Sequence, residues 1–510
     1  MKIWTLLPAL LIAIGGPAEA QAPRQADAAF QRDFDTFLDD AAGRLNSMTA
    51  LSIAVSRSDG PVEIRALGYA DAGRGIRATT TTPFYIASST KSFVGLALAI
   101  LAQRRVIDLD WTLARLAPDI AFDPALHADK VTLRTMLSHS SGLRNDAFGF
   151  RLAYSGEHDD RTMWRLLART TPNAEAPLGT FRYTNLGYNI ATLLIERKLH
   201  RRWQEIVRTE VLTPLGMTQS HAEGLARLTA PAPALPYLGF APRGPQLLPL
   251  VKVDATMQSA GGMVSTARDL ATWLTAQLAA ERGGGGLFAA ALRATHAPVA
   301  TLDENFALYQ RKAYGLGWYS GGYDGATLYH AFGGYSGFRS HVSFMPDRDI
   351  GVAIITNDEG IGYKFVDVAA AYVYDYFGHG AAYARDRAEP EIAKLVALQS
   401  SMAERIAAER AKRAARPSML AKPLAAYAGR YCNADYGAVT VSVTGTPSGP
   451  ALSVRLGHLH AVAEPFTRPE TVRVELIPND GQSIAFTDDA AGHVGSLVMF
   501  DVPFQRCRSG

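Results

Sequence analysis

One serine and one lysine, three residues apart, carry the most reactive pairing in the chain: Ser88 and Lys91, in Ile86-Ala87-Ser88-Ser89-Thr90-Lys91. Pro83 precedes them, and the apolar run Val94-Gly95-Leu96-Ala97-Leu98-Ala99-Ile100-Leu101-Ala102 follows. A proline ahead of small and helix-forming residues predicts a buried helix with Ser88 in its first turn. Side chains three apart share a helix face, so the Lys91 amine is expected beside the Ser88 hydroxyl. A serine hydroxyl is a weak nucleophile without a base, and a lysine becomes one when burial lowers its pKa. The helix N-terminus adds unpaired N–H groups and positive potential where an oxyanion would form. This is the only Ser-x-x-Lys in the sequence, and its lysine sits in an apolar run instead of on a charged face.

The 510 residues exceed one ordinary domain, and 48% of them are hydrophobic, enough for a substantial core. The 51 basic and 48 acidic residues leave a net charge of +3. So balanced a chain lacks the basic excess of a nucleic-acid binder. Lys2, the apolar stretch Ile3 to Ile14 and Ala18-Glu19-Ala20 read as a secretory signal over residues 1–20, which implies a periplasmic or secreted protein. The apolar stretch is too short to span a bilayer comfortably, so no stable membrane span is expected after cleavage. Neither H-E-x-x-H, C-x-x-C nor a Gly-rich phosphate loop occurs. No metal and no cofactor is therefore expected. The two cysteines, Cys432 and Cys507, fit a disulfide in an exported protein or two separate buried thiols.

Several elements must position the serine. Apolar periodicity predicts a helix over 28–46, a strand at Leu51 to Ser56 and a returning strand at Val62 to Tyr69. Residues 110–250 read as mostly helical, with a helix from about Asn185 to Arg197. Six prolines between Pro231 and Pro249 mark a loop: a lid, a substrate rim or a surface excursion. A β-rich region begins near Tyr314, includes a hairpin of Phe338 to Phe344 and Ile350 to Thr356, and ends in a helix over Val366 to Phe377. Strands at both ends with helices between imply one antiparallel sheet, completed by distant segments and flanked by helices and a helical subdomain. This is an α+β domain over 27–378. Residues 379–420 read as a helical linker of one or two exposed helices. Residues 421–510, with short strands ending at Leu497 to Val502, read as a small all-β, barrel-like domain.

With these segments in place the chain resembles the serine β-lactamase and penicillin-binding protein superfamily, in its class C branch with the peptidases of family S12. The resemblance covers roughly residues 30–378. It rests on the Ser88 motif and then, in order, on Leu137-Ser138-His139-Ser140-Ser141-Gly142-Leu143, Tyr183-Thr184-Asn185, Pro214-Leu215-Gly216-Met217, Ala260-Gly261-Gly262 and Gly333-Gly334-Tyr335-Ser336-Gly337-Phe338. It implies the class C β-lactamase-like transpeptidase fold and, for the tail, the lipocalin-like β domain that follows some of these hydrolases. It also implies that Ser88 is acylated, that Lys91 is its proton partner, and that Tyr183 is a base whose pKa a lysine ammonium pulls down. Asn185 would hold the substrate amide or the Lys91 amine. Backbone N–H groups at Ser88 and near Gly333 and Gly334 would form the oxyanion hole. His139 is expected to be a hydrogen-bonded packing residue.

The resemblance departs at one strand. Where relatives carry Lys-Thr-Gly or His-x-Gly, this chain has His330-Ala331-Phe332-Gly333. The Lys/His position falls on Ala331, and a shift of one residue turns a side chain to the opposite sheet face. Either a bulge returns His330 to the site or that role is absent or filled otherwise. Arg339 is a candidate substitute, with a surface strand arginine as the alternative. The expected activity is acyl transfer from peptides or amides, including D-residue or cell-wall peptides. Small esters and β-lactams are alternative substrates, and a non-catalytic, penicillin-binding-like sensor is the alternative of another class. The expected partner is a small-molecule or peptide substrate, with oligomerisation through the C-terminal domain also open.

Overall fold

The structure, a computed structural model, describes residues 25–45, 49–239, 244–285, 288–447 and 449–507. The signal segment expected over 1–20 lies outside them. Among the described residues no helix is long and apolar enough to cross a membrane.

The first unit starts with helix α1 (Gln25–Leu45), strand β1 (Ala50–Arg57), strand β2 (Gly60–Asp71) and the short β3 (Ile76–Arg77). Helices α2 (Thr90–Gln103), α3 (Leu186–Leu199) and α4 (Ala267–Glu281) follow with shorter pieces between them. Six strands then run in succession: β4 (Ala300–Phe306), β5 (Tyr309–Tyr314), β6 (Tyr319–Tyr323), β7 (Ala326–Tyr335), β8 (Phe338–Met345) and β9 (Ile350–Thr356). Helix α5 (Gly362–His379) closes the unit. The sheet order is β4-β5-β6-β7-β8-β9-β1-β2-β3. The N-terminal hairpin thus completes a sheet made some 300 residues later, with Leu51 opposite Thr356 and Ser56 opposite Gly351.

Strand β1 is buried on both faces, and its alternation explains the layering. Leu51, Ile53 and Val55 point into a core with Phe34 and Phe37 of α1 and Phe365 and Tyr372 of α5. The Phe37 and Tyr372 rings stack there at 4.2 Å. Ala50 and Ala54 point the other way, into the core shared with α2 and α4. Small residues on that face let α4 approach closely, and Ser56 Oγ donates to Ala271 O at 3.1 Å. Burying each large apolar side chain contributes about 1.5–3 kcal/mol.

The proline-rich stretch is pinned, not free. Ala234 N–H donates to Pro83 O, Leu235 N–H to Ala70 O and Tyr237 N–H to Asn357 O, each within 3 Å. It also holds a two-residue strand pair, Tyr237–Leu238 with Gln246–Leu247. Residues 381–414 form one helix, α6 (Ala381–Ala414), whose buried stripe is Ala384, Ala388, Ile392 and Leu395.

Nine strands, β10 (Gly429–Asn433), β11 (Gly437–Thr446), β12 (Gly449–Leu456), β13 (Leu459–Val462), β14 (Glu464–Pro465), β15 (Thr471–Ile477), β16 (Asp480–Asp488), β17 (Val494–Met499) and β18 (Val502–Arg506), form the last sheet. Its order is β13-β12-β11-β10-β18-β17-β16-β15-β14. The two edge strands are joined by the single residue Ala463, so the sheet must curl until its edges nearly meet. The result is a nearly closed barrel filled by Tyr431, Val454, Leu456, Ile484, Leu497 and Phe504. The stretch expected as one strand over Leu497 to Val502 is instead the end of β17, a turn and the start of β18.

First and last barrel strands are side by side, and Cys432 and Cys507 are disulfide-bonded across them with a sequence separation of 75. A loop of that length corresponds to ~4 kcal/mol of denatured-state entropy in the chain-entropy model. Cys507→Ser is therefore expected to lower barrel stability by about 2–4 kcal/mol, seen as an earlier denaturant midpoint that reductant no longer shifts.

Candidate active site

Ser88 stands on a strained, closely packed turn. The short strand Phe84–Tyr85 pairs with Val264–Ser265, and Ile86 N–H continues the ladder to Met263 O at 3.1 Å. Ala87 then takes φ +46°, a left-handed conformation that costs a non-glycine residue about 1–2 kcal/mol. Ser88 lies in the 3₁₀ turn Ala87–Ser89, one step before α2, and Lys91 is the second residue of that helix. The spacing of three still brings Lys91 Nζ to 3.1 Å from Ser88 Oγ.

Two glycines let neighbouring backbone close on this turn. A Cβ on Gly333 of β7 would lie 2.2 Å from Ile86 O and 2.8 Å from Ser88 N. Gly317, at φ +103°, packs against α2, where a Cβ would lie 2.5 Å from Ser92 Cα. Ser340 Oγ of β8 donates to Ile86 O at 2.7 Å and locks the same turn.

Lys91 is 1% exposed. Its amine contacts Asn185 Oδ1 at 2.8 Å and Ala260 O at 2.6 Å besides Ser88 Oγ. None of these partners is a carboxylate, and the Tyr183 and Tyr188 rings close over the amine at 4.9 and 5.6 Å. Burial therefore pulls its pKa well below the ordinary lysine value. Asn185 occupies the N-cap position of α3 without capping it, because its side chain is turned to Lys91. Ala260 is held in turn by Asn189, whose Oδ1 accepts from Ala260 N–H at 3.1 Å.

The Tyr183 hydroxyl shares a hydrogen bond with Ser88, and its pKa is pushed up to about 12. Burial is the main cause, and the Ser88 bond and the charges of Arg311 and Arg339 offset it only in part. The expectation of a phenol pulled down by a lysine ammonium is thus reversed, because burial of the phenol outweighs the charges near it. His139 packs its ring 4.3 Å from Tyr183, and its Nδ1 accepts from Thr184 N–H at 3.3 Å. Burial, then Lys91, hold it well below the usual histidine pKa. It is a packing residue for the 183–185 segment, as the sequence suggests.

The structure brings Ser88, Lys91, Tyr183, Asn185 and Gly333 together, with Gly334 next along β7, but not His330. β7 pairs without a bulge with β6 from Ala326 to His330 and with β8 from Tyr329 to Tyr335, so nothing turns His330 toward Ser88. It is buried among His341, whose ring lies 4.7 Å away, and Arg311, whose Nη2 is 3.4 Å from Nδ1. Arg339 is not a surface arginine. It is buried, pairs with Asp367 of α5 at 3.2 Å and lies over Phe306, Phe332 and Tyr363. His330, His341 and Asp367 could place ligand atoms within 4.8 Å of one another. Arg311 and Arg339 already supply positive charge there, which disfavours a metal ion.

Sequence reasoning missed the Ala260 carbonyl, a backbone group without a residue signature, and the aromatic pair Tyr154–Tyr335, stacked at 6.0 Å. Tyr154, Phe150, Tyr183 and Asn185 line a cavity of about 470 Å³.

Residues 37–372 match the family model described as Beta-lactamase. Unguisins hydrolase ungD' of Aspergillus campestris is 26% identical over 289 residues, which are 54% of this chain and 52% of that protein. The chain thus spans about half the length of this relative. An octameric penicillin-binding protein homologue from Pyrococcus abyssi superposes with a TM-score of 0.57 at 18% identity, over 93% of this chain and 99% of that one. The D-amino acid amidase of Ochrobactrum anthropi SV3 superposes with a TM-score of 0.55 at 22% identity, over 67% of this chain and 96% of that one. Family match, antiparallel sheet and the Ser88–Lys91–Tyr183 cluster agree: the chain belongs to the Beta-lactamase family, within the serine β-lactamase and penicillin-binding protein superfamily.

Proposed function

We propose that this chain is a serine hydrolase that cleaves amide or peptide bonds through an acyl-enzyme on Ser88. The observation that carries the reading is the buried Lys91 amine 3.1 Å from the Ser88 hydroxyl, with no carboxylate among its partners. A neutral amine has two hydrogens, and the Asn185 and Ala260 oxygens accept both. Its lone pair is then directed at the Ser88 hydroxyl, 3.1 Å away. As Ser88 Oγ bonds to the carbonyl carbon, its proton passes to Lys91. The ammonium then protonates the departing nitrogen as the C–N bond breaks, and water releases the acyl group by the reverse transfers. Tyr183 stays a neutral phenol that hydrogen-bonds the reacting oxygen. The Ser88 N–H, with backbone beside Gly334, would take the oxyanion.

Amides are favoured as substrates by two similar proteins, the hydrolase of unguisins and the D-amino acid amidase. Efficient β-lactam turnover is disfavoured because Ala331 stands where a lysine would hold the substrate carboxylate. A purely binding role gives no reason for a buried lysine in contact with a serine. Export to the periplasm or exterior fits residues 1–20 and the Cys432–Cys507 disulfide.

The first test is the intact mass of the protein after exposure to a penicillin and, separately, a fluorophosphonate. An adduct lost in Ser88→Ala is expected with the fluorophosphonate, and adduct formation in Ser88→Ala would refute the assignment. Tyr183→Phe, which removes a hydrogen bond to the reacting oxygen, is expected to slow acylation by ~10²–10³, the usual cost of losing one such donor. Lys91 also predicts a pH effect. Its pKa is lowered on folding, so the unfolded chain binds the extra proton, and this group's contribution to stability rises with pH up to the unfolded lysine value. Denaturant melts should show the parent gaining stability relative to Lys91→Met as pH rises from 6 toward ~10.

A further inference from the structure

Next to Ser88 the cleft has an end, and the C-terminal barrel holds that end in place. Gly333 touches the Ser88 turn, and Tyr335 lies two residues further along β7 on the same face. Tyr335 Oη donates to Ala153 O at 3.2 Å, and Tyr154 stacks on the Tyr335 ring. The strand beside the serine and the Phe150–Glu157 segment are thereby bridged. A substrate lying along β7 past Ser88 meets this bridge about 7 Å on, or about two extended residues. Residues 151–155 form a π-helical turn, an irregularity frequent at functional sites.

Two hairpin tips of the barrel press on this bridge from behind. One joins β15 to β16: Asn479 hydrogen-bonds Glu359, which accepts from Gly337 N–H just beyond Tyr335. On the same tip, Asp480 adds to burial in pushing up the Tyr154 phenol. The other tip joins β17 to β18 through Phe500 and Asp501, at φ +57° and +56°. A two-residue turn with both residues left-handed normally takes Asn or Gly, and a phenylalanine there is strained. The ring it displays packs 4.7 Å from Phe150, a wall of the cavity beside Tyr183. A strained turn that only closed a barrel would have no use for that ring. His458 N–H also donates to Ser155 O at 2.9 Å.

We propose that the barrel sets the length of substrate the cleft admits, by clamping Tyr154 against Tyr335 as an end wall through Phe500 and the 478–480 tip. The inference rests on the serine hydrolase reading. Phe500 is a positioning residue in it, and Tyr154 is the wall itself.

Two ester series test it in the full-length protein. One lengthens the acyl side, as p-nitrophenyl alkanoates from acetate to decanoate. The other lengthens the leaving side, as 4-acetoxybenzoyl oligoglycine amides. In the parent, kcat/KM is expected to fall by about tenfold or more from shortest to longest member in one series only, the order of discrimination a closed pocket supplies. Phe500→Gly, which relieves the turn and removes the ring, and Tyr154→Ala should each restore most of that loss in the same series, chiefly through KM. A change in stability alone would not move the ratio of long to short esters. No length limit in either series, or a limit unchanged in both variants, would overturn the proposal. Hydrolysis that persists in Ser88→Ala would instead remove the serine reading, and this inference with it.

Discussion

The site depends on keeping one amine dry. Lys91 is 1% exposed, with two oxygens, one hydroxyl and two aromatic rings around it and no counter-charge among those partners. An ammonium in that setting would keep hydrogen-bond acceptors and aromatic faces but no opposite charge to offset its desolvation. Burial without an opposite charge favours release of the proton, which in the proposed mechanism leaves a base beside the serine. Had a carboxylate stood where Asn185 Oδ1 stands, the amine would stay charged and Ser88 would face a hydrogen-bond donor instead of a base. The neutral acceptors are therefore as consequential as the lysine.

That environment constrains the surrounding chain. Ala87 is left-handed, Met257 and Gln258 before the Ala260 turn have φ of +64° and +42°, and His139 has φ +60°. Each costs of order 1–3 kcal/mol and persists only where packing over-determines it. The packing comes from both sides of the serine: β7 and β8 through Gly333 and Ser340, and α3 through Asn185 and Asn189. Those elements stay in register because β1 pairs with β9 on one side and with β2 on the other.

Much of this was legible in the sequence because the signals are local. The apolar run after Lys91, the alternation at Leu51 to Ser56 and the hairpin around Pro346 to Asp349 each report their own environment, and the elements appear there. The order of Ser88, Tyr183 and Asn185 along the chain pointed to a shared site for residues that folding brings together. The pKa of Tyr183 was read with the wrong sign, because burial of the phenol outweighs the neighbouring charges. That burial comes from residues far apart in sequence, such as His139 and Tyr319. His330 was undecidable for a similar reason. Bulges leave no composition signal here, and only the continuous pairing from Tyr329 to Tyr335 shows which face it takes.

The turn at Phe500 and Asp501 was illegible for the opposite reason, since its sequence contradicts its conformation. Val498-Met499-Phe500-Asp501-Val502 has neither glycine nor asparagine, so it reads as strand, yet both central residues are left-handed. Propensity favours an extended path, and barrel closure overrides it, because β17 and β18 must pair antiparallel across two residues. An asparagine-glycine turn would close the same hairpin with less strain. It would present no ring to Phe150, and the Phe150–Glu157 segment would lose an apolar contact at the point where it borders the cavity beside Tyr183. Local inconsistency of this kind concentrates where a side chain serves something other than the element that carries it.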